Sequence, residues 1–368
     1  MASHVAPLEL LTERPMPVDA DAIEEEFSRI WRESAAAGDE SMAVRLRVLN
    51  FVGIARDARD AERFETVMQA LPQRHPCRGI VALTDGSAGA ASLGATIAAH
   101  CWRTGAGRIV CAEQVALTGQ PGQEHALASA VLALLVPEMP VTAWLIGDPL
   151  RADDLVAEVL DSTDRLLFDS AGAADCAAAL RHTAALCEEY DVVPGDLAWG
   201  RLTTWRALLA QAFDGNEGRR RLARIRKIQL DCAEARNSEP LLLAGWLMSR
   251  LRLSLEGAGS TDGGISARLR GRQGAIDLSL SPVVSPEGPL AEVRIAFDGD
   301  DTVSVRCHAE RGHMHVEDAA SGDPRTTQRL PDDDVSVISR ALDDGSDAAV
   351  YREAAEGALA LLDGATGG

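Results

Sequence analysis

Lysine is nearly missing from this chain: of 36 Lys and Arg side chains in 368 residues, Lys227 is the only lysine. A phosphate-cradling P-loop needs lysine followed by Ser or Thr, and Lys227 is followed by Ile228, so a Walker-type ATPase is excluded. No GxSxG elbow, no HExxH and no Cys/His grouping at zinc spacing occurs, which removes the common hydrolase and zinc-enzyme signatures. The stretch "TGAGR", with its turn at Thr104–Gly107, holds GxG without a third glycine opening a helix, so it reads as a turn rather than a dinucleotide site. Seven cysteines (Cys77, Cys101, Cys111, Cys176, Cys187, Cys232 and Cys307) contain no CxxC pair and sit largely in apolar segments, the pattern of reduced thiols. The longest apolar run, residues 126–137, is too short to cross a bilayer, and the N-terminus lacks a basic region followed by an apolar one. These absences lead to the expectation of a soluble, cytoplasmic protein without a membrane partner.

Positive charge is scarce overall. The formal net charge of -20 repels phosphate backbones and anionic headgroups, so nucleic acid is not an expected partner. The arginine bias, in a chain rich in Ala, Gly and Asp, reads as codon bias as much as function. Hydrophobic residues at 46% and charged residues at 25% are ordinary globular usage, and the length exceeds what a single core usually fills. Two folded domains follow.

Hydrophobic period organises the chain. After a polar arm, Ile23–Ala37 has helical spacing through Ile23, Phe27, Ile30 and Trp31. From Arg45 a strand, a helix over Ala61–Leu71 and a strand from Arg78 form a βαβ-like start. Strands from Ser92 and Arg108 are close enough in sequence to form an antiparallel hairpin. A helix over Gln123–Leu135, a strand from Val141, a helix over Ala152–Leu160 and the strand "RLLFDS" from Arg165 complete a mixed-sheet α/β domain. The second half opens with a helix over Ala173–Tyr190 and a break at Pro194 and Gly195. One helix over Leu197–Phe213, a basic helix-to-strand junction at Arg219–Lys227 and a helix around Leu241–Leu253 follow. Short strands from Ile265 to Val316 make an antiparallel sheet, and helices near Asp332–Leu342 and Ala348–Leu362 end an α+β domain. The expected divisions are an N-terminal arm and helix over residues 1–44, an α/β domain over 45–171, an α+β domain over 172–362 and a frayed tail over 363–368.

Few residues point to chemistry. His308, His313 and His315 are the nearest approach to a metal cluster, but a solvated hairpin explains them and no metal site is assigned. His75 before Pro76, with Arg78 at the start of a strand, could hold an anion or fix a turn. Asp169 and Ser170 could face the crevice at the carboxyl end of a strand or cap the next helix. On the helix from Leu197, the residues Ala198, Leu202, Trp205, Leu209 and Phe213 form an apolar stripe. Arg206 borders one edge of it and Arg201 lies beyond the other. A buried arginine there needs an anionic or carbonyl partner. That leaves an internal salt bridge to the first domain or an interface anchor built on Trp and Arg.

Seven segments occur in an order that resembles the OpcA family of glucose-6-phosphate dehydrogenase assembly proteins. They are "LNFVGIARD", "RHPCRGIVAL", "CAEQVAL", "LLVPEMPVTAWLIGDP", "DSTDRLLFDS", "DLAWGRLTTWR" and "AGWLMSRL", together spanning roughly Val44 to Arg252. The resemblance implies a non-catalytic partner that binds glucose-6-phosphate dehydrogenase and promotes its productive oligomer or activity in the oxidative pentose phosphate pathway, with no cofactor of its own. It carries over Asn50, His75, Arg78, Glu113, Gln114, Trp144, Asp169, Ser170, Trp199, Arg201, Trp205, Arg206 and Trp246 as partner-binding or structural positions, together with Pro76 and Cys111. In some photosynthetic relatives the resemblance implies thiol control through cysteines near the C-terminus. No cysteine follows Cys307 here, so that property is not extended to this chain. The alternative is a sugar-phosphate-binding enzyme or sensor that gathers His75, Arg78, Glu113 and Asp169 at strand ends. The chain's own oligomeric state is not specified by these features.

Overall fold

The computed structural model describes residues 8–36, 44–45, 47–84, 93–103, 109–272, 274–284, 288–308, 312–320, 322, 324–343 and 347–366. The turn expected at Thr104–Gly107 lies outside the described residues. Two compact units are interleaved along the chain. One takes residues 1–172, 182–195 and 334–343, and the other takes 173–181, 196–333 and 344–368. The sequence suggests a single boundary at 171/172, whereas the chain passes between units repeatedly.

The strands of the first unit are β1 (Leu8–Pro17), β2 (Val44–Arg45), β3 (Leu49–Ala55), β4 (Cys77–Thr84), β5 (Gly94–Arg103), β6 (Ile109–Gly119), β7 (Val141–Leu145), β8 (Arg165–Phe168) and β9 (Val193–Asp196). They form one sheet in the order β1-β5-β6-β4-β3-β7-β8-β9, with β2 beside β6. Strands β6, β4, β3, β7 and β8 run parallel, and β5 and β1 add antiparallel neighbours on one side. Every residue of β3 and β7 is buried, as a parallel strand covered on both faces requires. Helices α1 (Ala20–Ala36), α2 (Ala58–Met68), α3 (Glu124–Leu134) and α4 (Asp154–Leu160) belong to this unit. Ile23, Phe27 and Ile30 of α1 are buried, which confirms the helical spacing.

Three expectations for this half change. The polar arm contains β1, paired antiparallel with β5. The break at Pro194 and Gly195 is β9, the last strand of the sheet, where a proline lacking an N–H is tolerated. Cys101 and Cys111 are not reduced thiols: they form a disulfide across the β5–β6 pairing. Their Cα atoms lie 4.1 Å apart in direct register, a close approach that brings opposed side chains together. The other five cysteines are buried and form no disulfide among the described residues.

Helix α5 (Cys176–Glu189) leads through β9 to α6 (Leu197–Arg201), α7 (Thr203–Gln211), α8 (Gly215–Leu222), strand β10 (Ile225–Cys232) and α9 (Ser238–Leu251). The second sheet has the order β11-β12-β13-β10-β14-β15-β16-β17. Its remaining strands are β11 (Ser254–Thr261), β12 (Gly264–Gly271), β13 (Gly274–Pro282), β14 (Leu290–Phe297), β15 (Thr302–His308), β16 (His313–Asp318) and β17 (Arg325–Gln328). All pairings are antiparallel except β10 with β13. Helices α10 (Asp334–Asp343) and α11 (Ala348–Thr366) follow, and α11 stays helical through Thr366 where fraying was expected.

The continuous helix expected over Leu197–Phe213 is divided at Leu202. Its ψ is -1°, its N–H bonds back to Trp199 O, and the Thr203 hydroxyl donates to Gly200 O at 2.8 Å. A threonine hydroxyl bonded to a preceding carbonyl draws that carbonyl out of the ladder and bends the helix.

Helices α9 and α11 meet through glycine. A Cβ on Gly245 would lie 2.0 Å from the Ala354 carbonyl oxygen, and one on Gly357 would lie 2.7 Å from Gly245 Cα. In an isolated helix Gly→Ala stabilises by about 1 kcal/mol. Here Gly245→Ala is expected to cost about 1–3 kcal/mol by forcing two backbones apart. Urea unfolding reads this as a lower midpoint with unchanged slope, and an equal or higher midpoint refutes the close crossing.

Candidate functional site

Register places three motif residues in one row. Asn50 on β3 opposes Arg78 on β4, and Arg78 opposes Glu113 on β6. Arg78 and Glu113 are 2% and 1% exposed, so their charges need internal partners. Arg78 donates from Nε and Nη2 to Glu113 Oε2 at 3.1 and 2.7 Å, and from Nη1 to Leu134 O at 3.0 Å and to Glu24. Glu113 also accepts from Trp31 Nε1 at 3.0 Å and from Arg47. Leu134 ends α3, where a cation complements the helix dipole. Asn50 Nδ2 donates to Val136 O and Met139 O, and its Oδ1 accepts from Val136 N–H, fixing the loop after α3.

The cluster therefore ties α1 and α3 to the sheet. Burial opposes ionisation of Glu113, but Arg78 and then Arg47 outweigh it and hold its pKa below the usual glutamate value. Burial likewise works against the Arg78 cation, while Glu24 and Glu113 more than restore it and raise its pKa. Glu24 and Arg47 were not singled out from sequence, and Trp31 entered only as part of the helical spacing of α1. A signal existed for two of them: Glu24 and Trp31 stand three before and four after Phe27, on the same face of α1.

The other first-unit positions lie apart from this row. His75 Nε2 is 2.9 Å from Ser339 Oγ and 3.6 Å from Asp343 Oδ1, both on α10, and burial lowers its pKa although Asp343 opposes the shift. Gln114 Oε1 meets His100 Nε2 at 2.8 Å. Trp144 is 1% exposed, its ring centroid 6.2 Å from that of Phe51, with the Arg63 guanidinium 5.5 Å from its own ring. Asp169 accepts from Ala171 N–H at 3.2 Å in the turn after β8, and Ser170 is fully buried. His75, Arg78 and Glu113 sit toward the amino ends of parallel strands and Asp169 follows the carboxyl end of another. The four do not converge on one anion or acid/base site.

The carboxyl end of this sheet is where open α/β sheets commonly bind ligands. Carboxylates occupy the helix N-terminus there. Asp57 caps α2 by accepting from Asp60 N–H at 2.9 Å, and Asp60 accepts from Arg56 N–H at 3.3 Å. Burial raises the Asp60 pKa. Gly147, with φ of 79°, leaves no room for a side chain, since a Cβ would lie 2.5 Å from Asp60 Oδ1. Arg151 bridges two strand ends, donating to Ala55 O at 3.0 Å and Thr84 Oγ1 at 2.9 Å, and pairs with Asp153, the N-cap of α4, at 2.5 Å.

In the second unit the Arg206 guanidinium lies 3.6 Å from the Trp199 ring centroid. Asp347 Oδ2 accepts from both, at 2.8 Å from Arg206 Nη1 and 2.7 Å from Trp199 Nε1. Tyr351 packs edge-on against Trp199 and donates to Asp196 Oδ2 at 3.2 Å, while Asp196 caps α6. Arg201 pairs with Glu239 at 2.6 Å in the first turn of α9. Trp205 and Trp246 are 2% and 9% exposed. The arginines thus make internal salt bridges, but to this same unit rather than to the first domain. Asp347 and Glu239 escaped notice because they lie far along the chain. The His308 and His315 rings pack edge-on at 6.3 Å, and no group of three metal-ligating side chains occurs among the described residues. No helix among them is long and apolar enough to cross a membrane.

By fold this is a protein of two units, one built on a parallel-dominated α/β sheet and one on an antiparallel-rich sheet, with its polar motif residues engaged in internal pairs. Residues 68–185 match the family described as "Glucose-6-phosphate dehydrogenase subunit N-terminal domain", and residues 194–355 match the corresponding C-terminal domain. The chain belongs to the OpcA family. It is 26% identical over 281 residues to a protein of Synechococcus elongatus named as the OxPP cycle protein OpcA, covering 73% of this chain and 63% of that one. A protein of the same name from Synechocystis sp. is 26% identical over 188 residues, 50% of this chain and 39% of the relative. The chain thus spans less than two thirds of either relative. A solved structure of similar topology is UDP-N-acetylglucosamine 3-dehydrogenase GnnA from Acidithiobacillus ferrooxidans. It is 11% identical, with a TM-score of 0.49 over 87% of this chain and 99% of that one, a likeness of topology without functional weight.

Because the Glu113 pKa is depressed on folding, its contribution is present above the unfolded value of about 4.5 and is lost as pH falls through the lower folded value. Glu113→Gln is expected to cost about 3–5 kcal/mol at neutral pH, since it leaves a buried arginine short of its counter-charge. The gap from wild type should narrow in acid, where the wild-type carboxylate also becomes neutral. Urea titrations across pH check this, and a gap that stays constant into acid contradicts a role for the charge.

Proposed function

We propose that this chain is a non-catalytic assembly or activator protein that binds glucose-6-phosphate dehydrogenase and favours its productive oligomer or activity in the oxidative pentose phosphate pathway. The observation that carries this is the match of both halves to a family described as a subunit of that dehydrogenase. The relatives' naming as OxPP cycle proteins supports the same pathway. Geometry supports the non-catalytic part: the four groups considered for sugar-phosphate chemistry do not share a site, and Asp57 and Asp60 stand at the α2 N-terminus where an incoming phosphate would meet like charge. A partner of this kind acts by binding one state of the dehydrogenase more tightly than another, which is the only way binding can shift its equilibrium.

Size-exclusion chromatography with light scattering, applied to this protein mixed with its cognate dehydrogenase, tests the proposal. The expected result is co-elution with a changed dehydrogenase mass or kcat/KM across the peak. Separate elution at concentrations well above Kd values usual for stable partners, with unchanged kinetics in the presence of substrate and NADP, overturns it.

A further inference from the structure

Five arginines from four segments of the second unit line a cavity of about 370 Å³: Arg219 on α8, Arg226 on β10, Arg250 and Arg252 at the end of α9, and Arg272 in the β12–β13 turn. None of the residues lining it is acidic, in a chain whose net charge is -20. Its floor is apolar, with Leu222, Ile225 and Ile276, and Gly271 and Gly274 are also among the lining residues. Asp298 pairs with Arg226 and Glu353 with Arg250, from outside the lining. Arg219 donates to Asn216 Oδ1, a neutral acceptor, at 2.6 Å. Among the described residues no carboxylate pairs with Arg252 or Arg272.

Arginine near a helix C-terminus ordinarily answers the helix dipole, and that accounts in part for Arg250 and Arg252. The dipole amounts to about half a charge, and it does not explain why α8, β10 and the turn send three more guanidinium groups to the same place. Arg252 itself is left-handed, with φ of 53° and ψ of 50°, at a C-cap position where glycine or asparagine is usual. A non-glycine residue held there points to a requirement for its side chain. Guanidinium forks match phosphate oxygens two at a time, and an apolar floor suits the uncharged body of a ligand.

We propose that this cavity binds a small phosphorylated organic anion. The cavity shares no lining residue with the Arg78–Glu113 row or the Trp199–Arg206–Asp347 cluster. Isothermal titration of the full chain at near-physiological salt, with inorganic phosphate, sulfate, pyrophosphate, a hexose 6-phosphate and a nucleoside triphosphate as separate probes, tests it. The expected result is saturable one-to-one binding of a phosphate ester, tighter than that of inorganic phosphate or sulfate. Arg252→Ala and Arg272→Ala, both at exposed positions, should each weaken it about tenfold or more, with Tm lowered by no more than about 2–4 °C, the share of Arg252 in answering the helix dipole. Three results overturn the proposal: no saturable heat with either organic phosphate, equal affinity for esters and inorganic anions, or binding that survives the Arg252→Ala/Arg272→Ala double variant.

Discussion

Burying one ion pair constrains the rest of the first unit. Strand register brings Arg78 and Glu113 side by side inside the sheet, and removing two such charges from water costs several kcal/mol each before any return. The pair alone leaves donors and lone pairs unfilled. Completing it takes Glu24 and Trp31 from α1, Arg47 from the approach to β3 and the last carbonyl of α3. The placement of both helices is thereby coupled to a single point in the sheet. Asn50, next in the row, extends the coupling to the loop after α3 through three hydrogen bonds to backbone.

The second unit applies the same physics to a different framework. Helices α9 and α11 cross at Gly245 and Gly357, closely enough to exclude a methyl group. The short helices α6 and α7 attach to that pair through Arg201–Glu239 and Trp199–Arg206–Asp347. Both carboxylates stand at helix N-termini, where the macrodipole favours negative charge and the arginines supply the counter-charge. Stacking on Trp199 shields the Arg206 guanidinium from water and adds a cation–π term. Trp199 and Trp205 are buried, and Arg201 and Arg206 are paired at the edge of that core. Arg219, Arg252 and Arg272, all exposed, line the cavity beside β10 instead.

Much of the fold was legible in local pattern. The stripe Ile23, Phe27, Ile30 located α1, the strand read from Arg45 contains β3, and the two segments after Ser92 formed the expected antiparallel pair. Less of the site was legible. Arg78 and Glu113 stood together in the sequence only as family-motif positions and as part of the alternative anion site, not as a mutual ion pair, and Glu24 and Arg47 carry no signal because out of context they are ordinary surface-type residues. Asp347 lies 141 positions beyond Arg206, a separation over which no periodic signal operates. The division of the helix at Leu202 depended on a threonine hydroxyl choosing a backbone carbonyl, a competition that apolar spacing does not register.

By itself the sequence determined the strongly periodic helices and strands and which of their faces are apolar, because those follow from 3.6- and two-residue periods and from local turn chemistry; β1, β9 and the division at Leu202 carry no such period. It also determined the charge balance. Only the tertiary structure decided which residues satisfy one another: that Cys101 meets Cys111, that α10 returns to the first unit to meet His75, and that Arg201 and Arg206 find Glu239 and Asp347 within their own unit. A period reports that a face must be buried, whereas a buried charge is answered by whichever complementary group the completed fold brings within about 3 Å.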